Sequence, residues 1–384
     1  MSAEAVEAWL RSRRSAQVNG FSVRPMEHSM LKGTPLSIQR GQAAAFPLIA
    51  DDGRRWILKK FHNARALRRD YLEAVGRLLP RENGFSCGTD RKVLASGDLH
   101  ATPGRHYCPR LATWLDGCLL MPRIAGVDWA CLADELRDGS VHLDKAQRIT
   151  LCRALSQLIS LLEAAGCSHR DLSSGNVFID TGTWAIYLID FDSLYHPSLT
   201  IPQATTCGTV GYTAPYTWRG GQPDAGATWR QRADRYSLGL LNVEFLTLDQ
   251  GAVLTAEGGI FEQDELRARS GPGLSRIKSK LGAECPEAMP LFEATLNSQH
   301  FDDCPSPEDW QGFCDRVAGP PIKPPALADL EFVDEDYFER QLRRLRPPAP
   351  LWPAPQLIDM PTMDVMLPVS SVPIVPLPPD PWRS

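Results

Sequence analysis

From Thr34 to Phe61 apolar and polar positions alternate with a period near two, in PLSIQRGQ, AAAFPLIA and, after the turn residues Asp51-Asp52-Gly53, WILKKF. Successive strand side chains point to opposite faces, so this texture predicts three short strands joined by tight turns. The period then lengthens. Leu67, Tyr71, Val75 and Leu78 fall on one face of a helix predicted over 63–79. The run DKAQRITLCRALSQLISLLEAAG predicts another that begins at Asp144 as its cap and stops at Gly166. Residues 2–11 predict a short amphipathic helix with an acidic first turn. Cys118 to Met121 reads as a buried strand, 185–189 as another, 233–248 as an apolar helix, and 250–318 as further helices and loops. Only Lys92-Val93-Leu94 stands out in the irregular stretch 80–117.

Beyond Gly319 the texture changes again, because half of the 32 prolines lie there, interrupted by one helical candidate at 334–345. Pro350-x-x-Pro353 and Pro373-x-x-Pro376 have polyproline II spacing, which suits partner binding or a surface-draping extension. Leu351, Trp352, Ile358, Val372 and Val375 make the segment more apolar than a linker and predict that parts of it dock. At 384 residues, 43% hydrophobic and 23% charged, the chain has enough material for a sizeable core. A net charge of −5 with scattered Lys and Arg argues against nucleic-acid and membrane surfaces. Neither a membrane-length apolar run nor a signal-peptide layout is visible, so a cytoplasmic location is expected. Ten dispersed cysteines, with no C-x-x-C pair, read as reduced thiols.

The chemistry concentrates in SHRDLSSGNVFID, Ser168 to Asp180, and in the IDFD that follows the 185–189 strand. Phosphoryl transfer needs a carboxylate to orient an attacking hydroxyl and oxygen ligands to hold Mg²⁺ against nucleotide phosphates. Asp171 suits the first task. Asn176, five residues on, and Asp190, behind a strand, suit the second. Lys59 ends a strand where it can reach phosphates, while Lys60 should point the opposite way.

These motifs, with GTVGYTAP (208–215) and ADRYSLG (233–239), make residues 31–318 resemble the eukaryotic-like (Hanks-type) serine/threonine protein kinases, particularly their stand-alone bacterial members. The resemblance implies an α+β, bilobal protein-kinase fold. Its parts would be an N-terminal extension (1–30), an N-lobe sheet with one helix (31–121), a mainly helical C-lobe (122–318) and the Pro-rich tail (319–384). It implies ATP with Mg²⁺, or Mn²⁺ in its place, and transfer to a protein hydroxyl, with autophosphorylation. Gly41 would cover the phosphates, Glu73, or next Asp70, would pair with Lys59, and backbone at Met121, Arg123 and Ile124 would meet the adenine edge. Asp128 would bond a ribose hydroxyl or cap a helix. Arg170 would bind a phosphate on Thr205, Thr209 would bond Asp171, and Asp234 would accept from the backbone at His169 and Arg170 or cap its own helix. Four departures stand out: Ser173 where such kinases carry a lysine, Asp192 for a glycine, Tyr216 for a glutamate, and a glycine loop reduced to Gly41. Those departures keep two other readings open, a pseudokinase scaffold with a partner-binding tail and a small-molecule kinase of the same fold.

Overall fold

A computed structural model describes residues 4–11, 15–28, 32–40, 43–62, 69–100, 109–124, 126–202, 208–219, 221–256 and 258–318, all within one compact unit. The chain is mixed α+β. Its main sheet is antiparallel and eight-stranded: β1 (Ala16–Val18), β2 (Phe21–Pro25), β3 (Ile38–Arg40), β4 (Ala43–Ala50), β5 (Arg55–Phe61), β6 (Lys92–Val93), β7 (Leu99–His100) and β8 (Leu119–Pro122). The order is β6-β8-β5-β4-β2-β1-β7, with β3 also on β4. β4 and β5 pair with Ala45 opposite Lys59 and Ala44 opposite Lys60, across the Asp51-Asp52-Gly53 turn. Pro47 is tolerated inside β4 because its ring nitrogen faces the side where β3 pairing gives way to β2 pairing, so no donor is missed there.

Residues 16–25, expected in an extension, instead form two strands of this sheet. Asn19-Gly20 joins them with φ of 52° and 80°, the left-handed pair that a two-residue hairpin turn needs. The helix α1 (Glu4–Arg11) buries Val6 and Trp9 against the sheet face that also carries Phe46, Leu48 and Leu58. The helix α2 (Arg69–Leu78) buries Tyr71, Leu72 and Val75 in the larger core. The stretch 80–117 contains the short helix α3 (Ser86–Thr89) and α4 (Pro109–Leu115), whose Leu111 and Trp114 join α1 on its face. Elements this short leave little periodicity to detect.

The remaining elements are mainly helical. β9 (Val127–Asp128), β10 (Val177–Asp180) and β11 (Ala185–Leu188) form a small antiparallel sheet, and the pair β12 (Trp218–Arg219) and β13 (Gln222–Pro223) a hairpin. Gly126 is required where the chain turns into β9: its φ is +97°, and a Cβ there would lie 2.1 Å from the Ile179 carbonyl oxygen. The helices are α5 (Trp129–Arg137), α6 (Lys145–Ala164), α7 (Ala225–Thr228), α8 (Arg235–Thr247), α9 (Gln263–Ala268), α10 (Pro272–Glu284), α11 (Met289–Asn297) and α12 (Pro307–Ala318). Asp144 does cap α6, in a reciprocal box with Gln147 at 2.8 Å each way. Every residue of α8 is buried, so its leucines are not confined to one face, and its polar residues Ser237, Asn242, Glu244 and Thr247 find hydrogen-bond partners inside the protein. Among the described residues no helix is long and apolar enough to cross a membrane. The Pro-rich tail, Gly41, Thr205 and Cys207 lie outside the described residues.

Candidate functional site

Strand alternation decides what the two lysines of β5 do. Lys60 points to the α4 side, donating to the carbonyls of Trp114 at 2.6 Å and Asp116 at 3.0 Å. Lys59 points the other way and meets Asp190, 131 residues later, at 2.7 Å, and Asp192 at 2.5 Å. Directly across from Lys59 on β4 stands Ala45.

Below it, the segment after α6 is held by backbone bonds. Ser168 and Tyr195 exchange N–H···O=C bonds at 3.1 and 2.8 Å. Asp234, 2% exposed, accepts from the N–H of His169 at 2.6 Å and of Arg170 at 2.7 Å. Its side chain makes no capping bond to its own helix, so of the two roles expected for it the loop-holding one is formed. Burial pushes its carboxyl above the ordinary range, against the opposing pull of His169 and the two N–H groups. Arg170 is thereby fixed at φ 68°, a left-handed conformation that costs an arginine roughly 1–2 kcal/mol. The His169 ring nitrogen Nε2 lies 2.7 Å from the Ile189 carbonyl, and its ring lies 5.0 Å from that of Phe191.

Asp171 follows, with both its ends engaged. Asn176 Nδ2 donates to its backbone carbonyl at 2.8 Å, and Thr209 Oγ1 donates to its Oδ1 at 2.8 Å. Asn176 is in turn adjacent to the turn bearing Asp190, because the β10–β11 ladder continues from Val177 opposite Leu188 to an Ile189 N–H bond on the Asn176 carbonyl at 3.1 Å. Asp190 itself adopts φ 65°, a left-handed conformation that aspartate tolerates better than most residues. Burial opposes its charge, yet Lys59 beside it holds the carboxyl well below the usual carboxylate range. Burial likewise opposes the Lys59 charge, and the two carboxylates outweigh it, so its pKa is raised. Burial, with Asp190 as a like-charged neighbour, pushes the Asp192 carboxyl up in spite of Lys59 and Arg91.

Other residues expected at the site are placed differently. Glu73 projects from the outer side of α2 and pairs with Arg69 at 2.8 Å, so the expected Lys59–Glu73 pair is not formed. The inward face of α2 is occupied by Tyr71, Leu72 and Val75, and Asp70, on its first turn, is exposed. Arg170 is 4% exposed and spends its guanidinium on the carbonyls of Thr228 (3.0 Å), Ser193 (2.9 Å) and Ala225 (2.9 Å) and on the Thr228 hydroxyl (2.9 Å). It also stacks over Trp229, 4.6 Å from the ring centroid. A guanidinium so engaged has no fork to offer a loop phosphate, which corrects the expected regulatory role. Asp128 is fully buried and accepts from Cys131 N at 2.7 Å as the cap of α5; the capping role is formed, and its burial removes it from a ribose. The Arg123 N–H donates to the Arg55 carbonyl at 3.1 Å, so the sheet uses it rather than an adenine edge. Met121 lies on β8 with its sulfur 3.1 Å from Cys87 Sγ, and Ile124 is half-buried just after that strand.

Three features escaped sequence reasoning. Arg91, 4% exposed along its side chain, lies 3.4 Å from Asp192 and donates to the Leu72 carbonyl at 2.8 Å. No local pattern marks Arg91, whereas the second carboxylate in Asp190-Phe191-Asp192 is visible in the sequence as a departure from the expected glycine. Buried Glu244 on α8 gathers the Trp129 ring N–H (2.9 Å), the Tyr212 hydroxyl (2.9 Å) and the Ile260 N–H (2.9 Å), and Ser174 of the Asp171 loop hydrogen-bonds the same Tyr212 hydroxyl. Burial pushes the Glu244 carboxyl up to about 7, against those bonds. Tyr216, in place of an ion-pairing glutamate, packs edge-on against Tyr236 and Phe301 with centroids 6.2 and 5.1 Å away.

Among the described residues no three His, Cys, Asp or Glu side chains converge as a metal site. The donor set of Asp190 and Asn176 is two hard oxygen groups, which fits a divalent ion that takes its remaining ligands from phosphates and water. Compared with models of known protein families and with curated protein sequences, the chain matches none.

Proposed function

We propose that this chain is an ATP-dependent protein serine/threonine kinase with a bilobal kinase fold. The main sheet with α2 would be the upper lobe, the helical remainder the lower, and the site would lie in the cleft. The observation that carries this reading is the 2.7 Å contact of the sheet's Lys59 with Asp190, next to an Asp171 held by Asn176 and Thr209. An ammonium, a carboxylate and a carboxamide fit a nucleotide's phosphates and their magnesium ion. Asp171, half-buried and accepting from Thr209, would face an acceptor hydroxyl.

In this reading Asp171 orients the acceptor hydroxyl and takes its proton as the oxygen attacks the γ-phosphorus and the bond to ADP breaks. Lys59 binds phosphate oxygens, and Asn176 and Asp190 would hold Mg²⁺, which when bound neutralises phosphate charge. Thr209 closes the loop 208–215 over Asp171, and beside it Val210 is 47% exposed, as a peptide platform requires. That platform supports a protein acceptor over a small molecule. Ser173, 3% exposed, offers no charge to the transferred phosphate, which favours slow turnover.

The acceptor class is tested by incubating the full chain with Mg-ATP and either casein or a panel of sugars and aminoglycosides. Phosphate is expected on casein or on the chain itself and on none of the panel. Transfer to a panel compound alone would overturn the protein-kinase reading in favour of a small-molecule kinase.

A further inference from the structure

Lys59 needs a rigid carboxylate partner if its ammonium is to stay aimed at phosphates, since a four-carbon side chain loses about 2 kcal/mol of rotamer entropy when fixed. Helix α2 does not supply one. Its inward positions Tyr71, Leu72 and Val75 carry no acid, and its Glu73 is turned outward to Arg69. A carboxylate is present from another direction. Asp192 lies in the 3₁₀ turn Phe191–Ser193, with its side chain 11% exposed, 2.5 Å from Lys59 Nζ through one oxygen and 3.4 Å from Arg91 through the other. Arg91 is anchored to α2 through the Leu72 carbonyl at 2.8 Å. Phe191, 1% exposed and tilted against the rings of His169 and Phe85, pins the turn between the two aspartates.

Resting on the kinase reading, we propose that Asp192 is the positioning residue of Lys59, doing from the metal-side turn what a helix-borne glutamate would otherwise do, with Arg91 as the link that ties this pair to α2. One consequence follows for control. Lys59 is held both by the candidate metal ligand Asp190 and by Asp192 in the turn that Asp190 begins, so the two are assembled or lost together. Movement of α2 can reach Lys59 through the chain Leu72, Arg91 and Asp192.

Two arms test this in the full chain. In the first, thermal midpoints of wild type, Asp192→Asn, Lys59→Met and the double variant form a mutant cycle, which detects direct pairing whether or not the chain is a kinase. The double variant is expected to melt within roughly 2 °C of the less stable single variant, whereas the same cycle with Glu73→Gln gives additive shifts. Additive shifts for Asp192, or coupling for Glu73, would overturn the pairing. In the second arm, Asp192→Asn is expected to lower kcat about 100-fold with KM for ATP changed less than about threefold, and Asp192→Glu to recover part of the loss. A kcat equal to wild type would overturn the positioning role and leave the kinase reading standing. A wild-type chain that transfers no phosphate would overturn that reading and the catalytic role together, while the cycle still decides the pairing.

Discussion

Asp171→Asn is expected to reduce phosphoryl transfer by about 10²–10⁴-fold, the range over which a positioned general base acts. The substitution is chosen for its shape. Asparagine keeps an oxygen to accept from Thr209 Oγ1, which lies 2.8 Å from Asp171 Oδ1, and the backbone carbonyl that Asn176 Nδ2 holds at 2.8 Å is untouched. The loop therefore keeps these two contacts and loses the group that can take a proton. Initial rates with casein, alongside thermal midpoints, check this. Loss of rate at an unchanged midpoint is the expected pattern, and a rate within threefold of wild type would remove Asp171 from the chemistry.

Asp234→Ala is expected to be the most damaging single change to stability near the site. It orphans two buried backbone N–H groups, those of His169 and Arg170, at about 1–3 kcal/mol each. It also releases Arg170 from the restraint that keeps it left-handed at φ 68°. A loss on the order of 3 kcal/mol corresponds to a drop in midpoint of roughly 6–12 °C. Activity should fall with it, because Asp171 is the next residue along. Asp234→Asn does not rescue, since its amide turns a donor toward one of the two N–H groups. Differential scanning calorimetry provides the measurement. A midpoint within about 1 °C of wild type would mean that the loop is held by other contacts.

How much of this was legible in the sequence depends on how far apart the partners are. The loop from His169 to Asn176 was readable because its geometry is local: the Asn176 bond to the Asp171 carbonyl spans five residues. The opposite directions of Lys59 and Lys60 followed from strand alternation alone, whereas the Glu73 expected to pair with Lys59 turned outward to Arg69. The partner of Lys59 was not readable. It lies 133 residues away, and whether a second aspartate in a turn faces a metal or a lysine depends on packing around Phe191 that no local pattern encodes. The fates of Arg170 and Asp128 were obscured in the same way, since carbonyls from distant segments and a helix start claimed side chains expected to serve ligands. The first two strands are a different case. Asn19-Gly20 is a hairpin signal, but strands of three and five residues gave it too short a frame to stand out.

In the proposed function Lys59, Asp171, Asn176 and Asp190 form one phosphotransfer site acting on protein hydroxyls. Mass spectrometry of the full chain after incubation with Mg-ATP, wild type beside Asp190→Ala, tests it most directly. An addition of about 80 Da is expected on serine or threonine, with Thr205 and its neighbours the first positions to inspect, in wild type and not in the variant. Equal phosphorylation of both chains, or none of wild type with casein also unmodified, would contradict it.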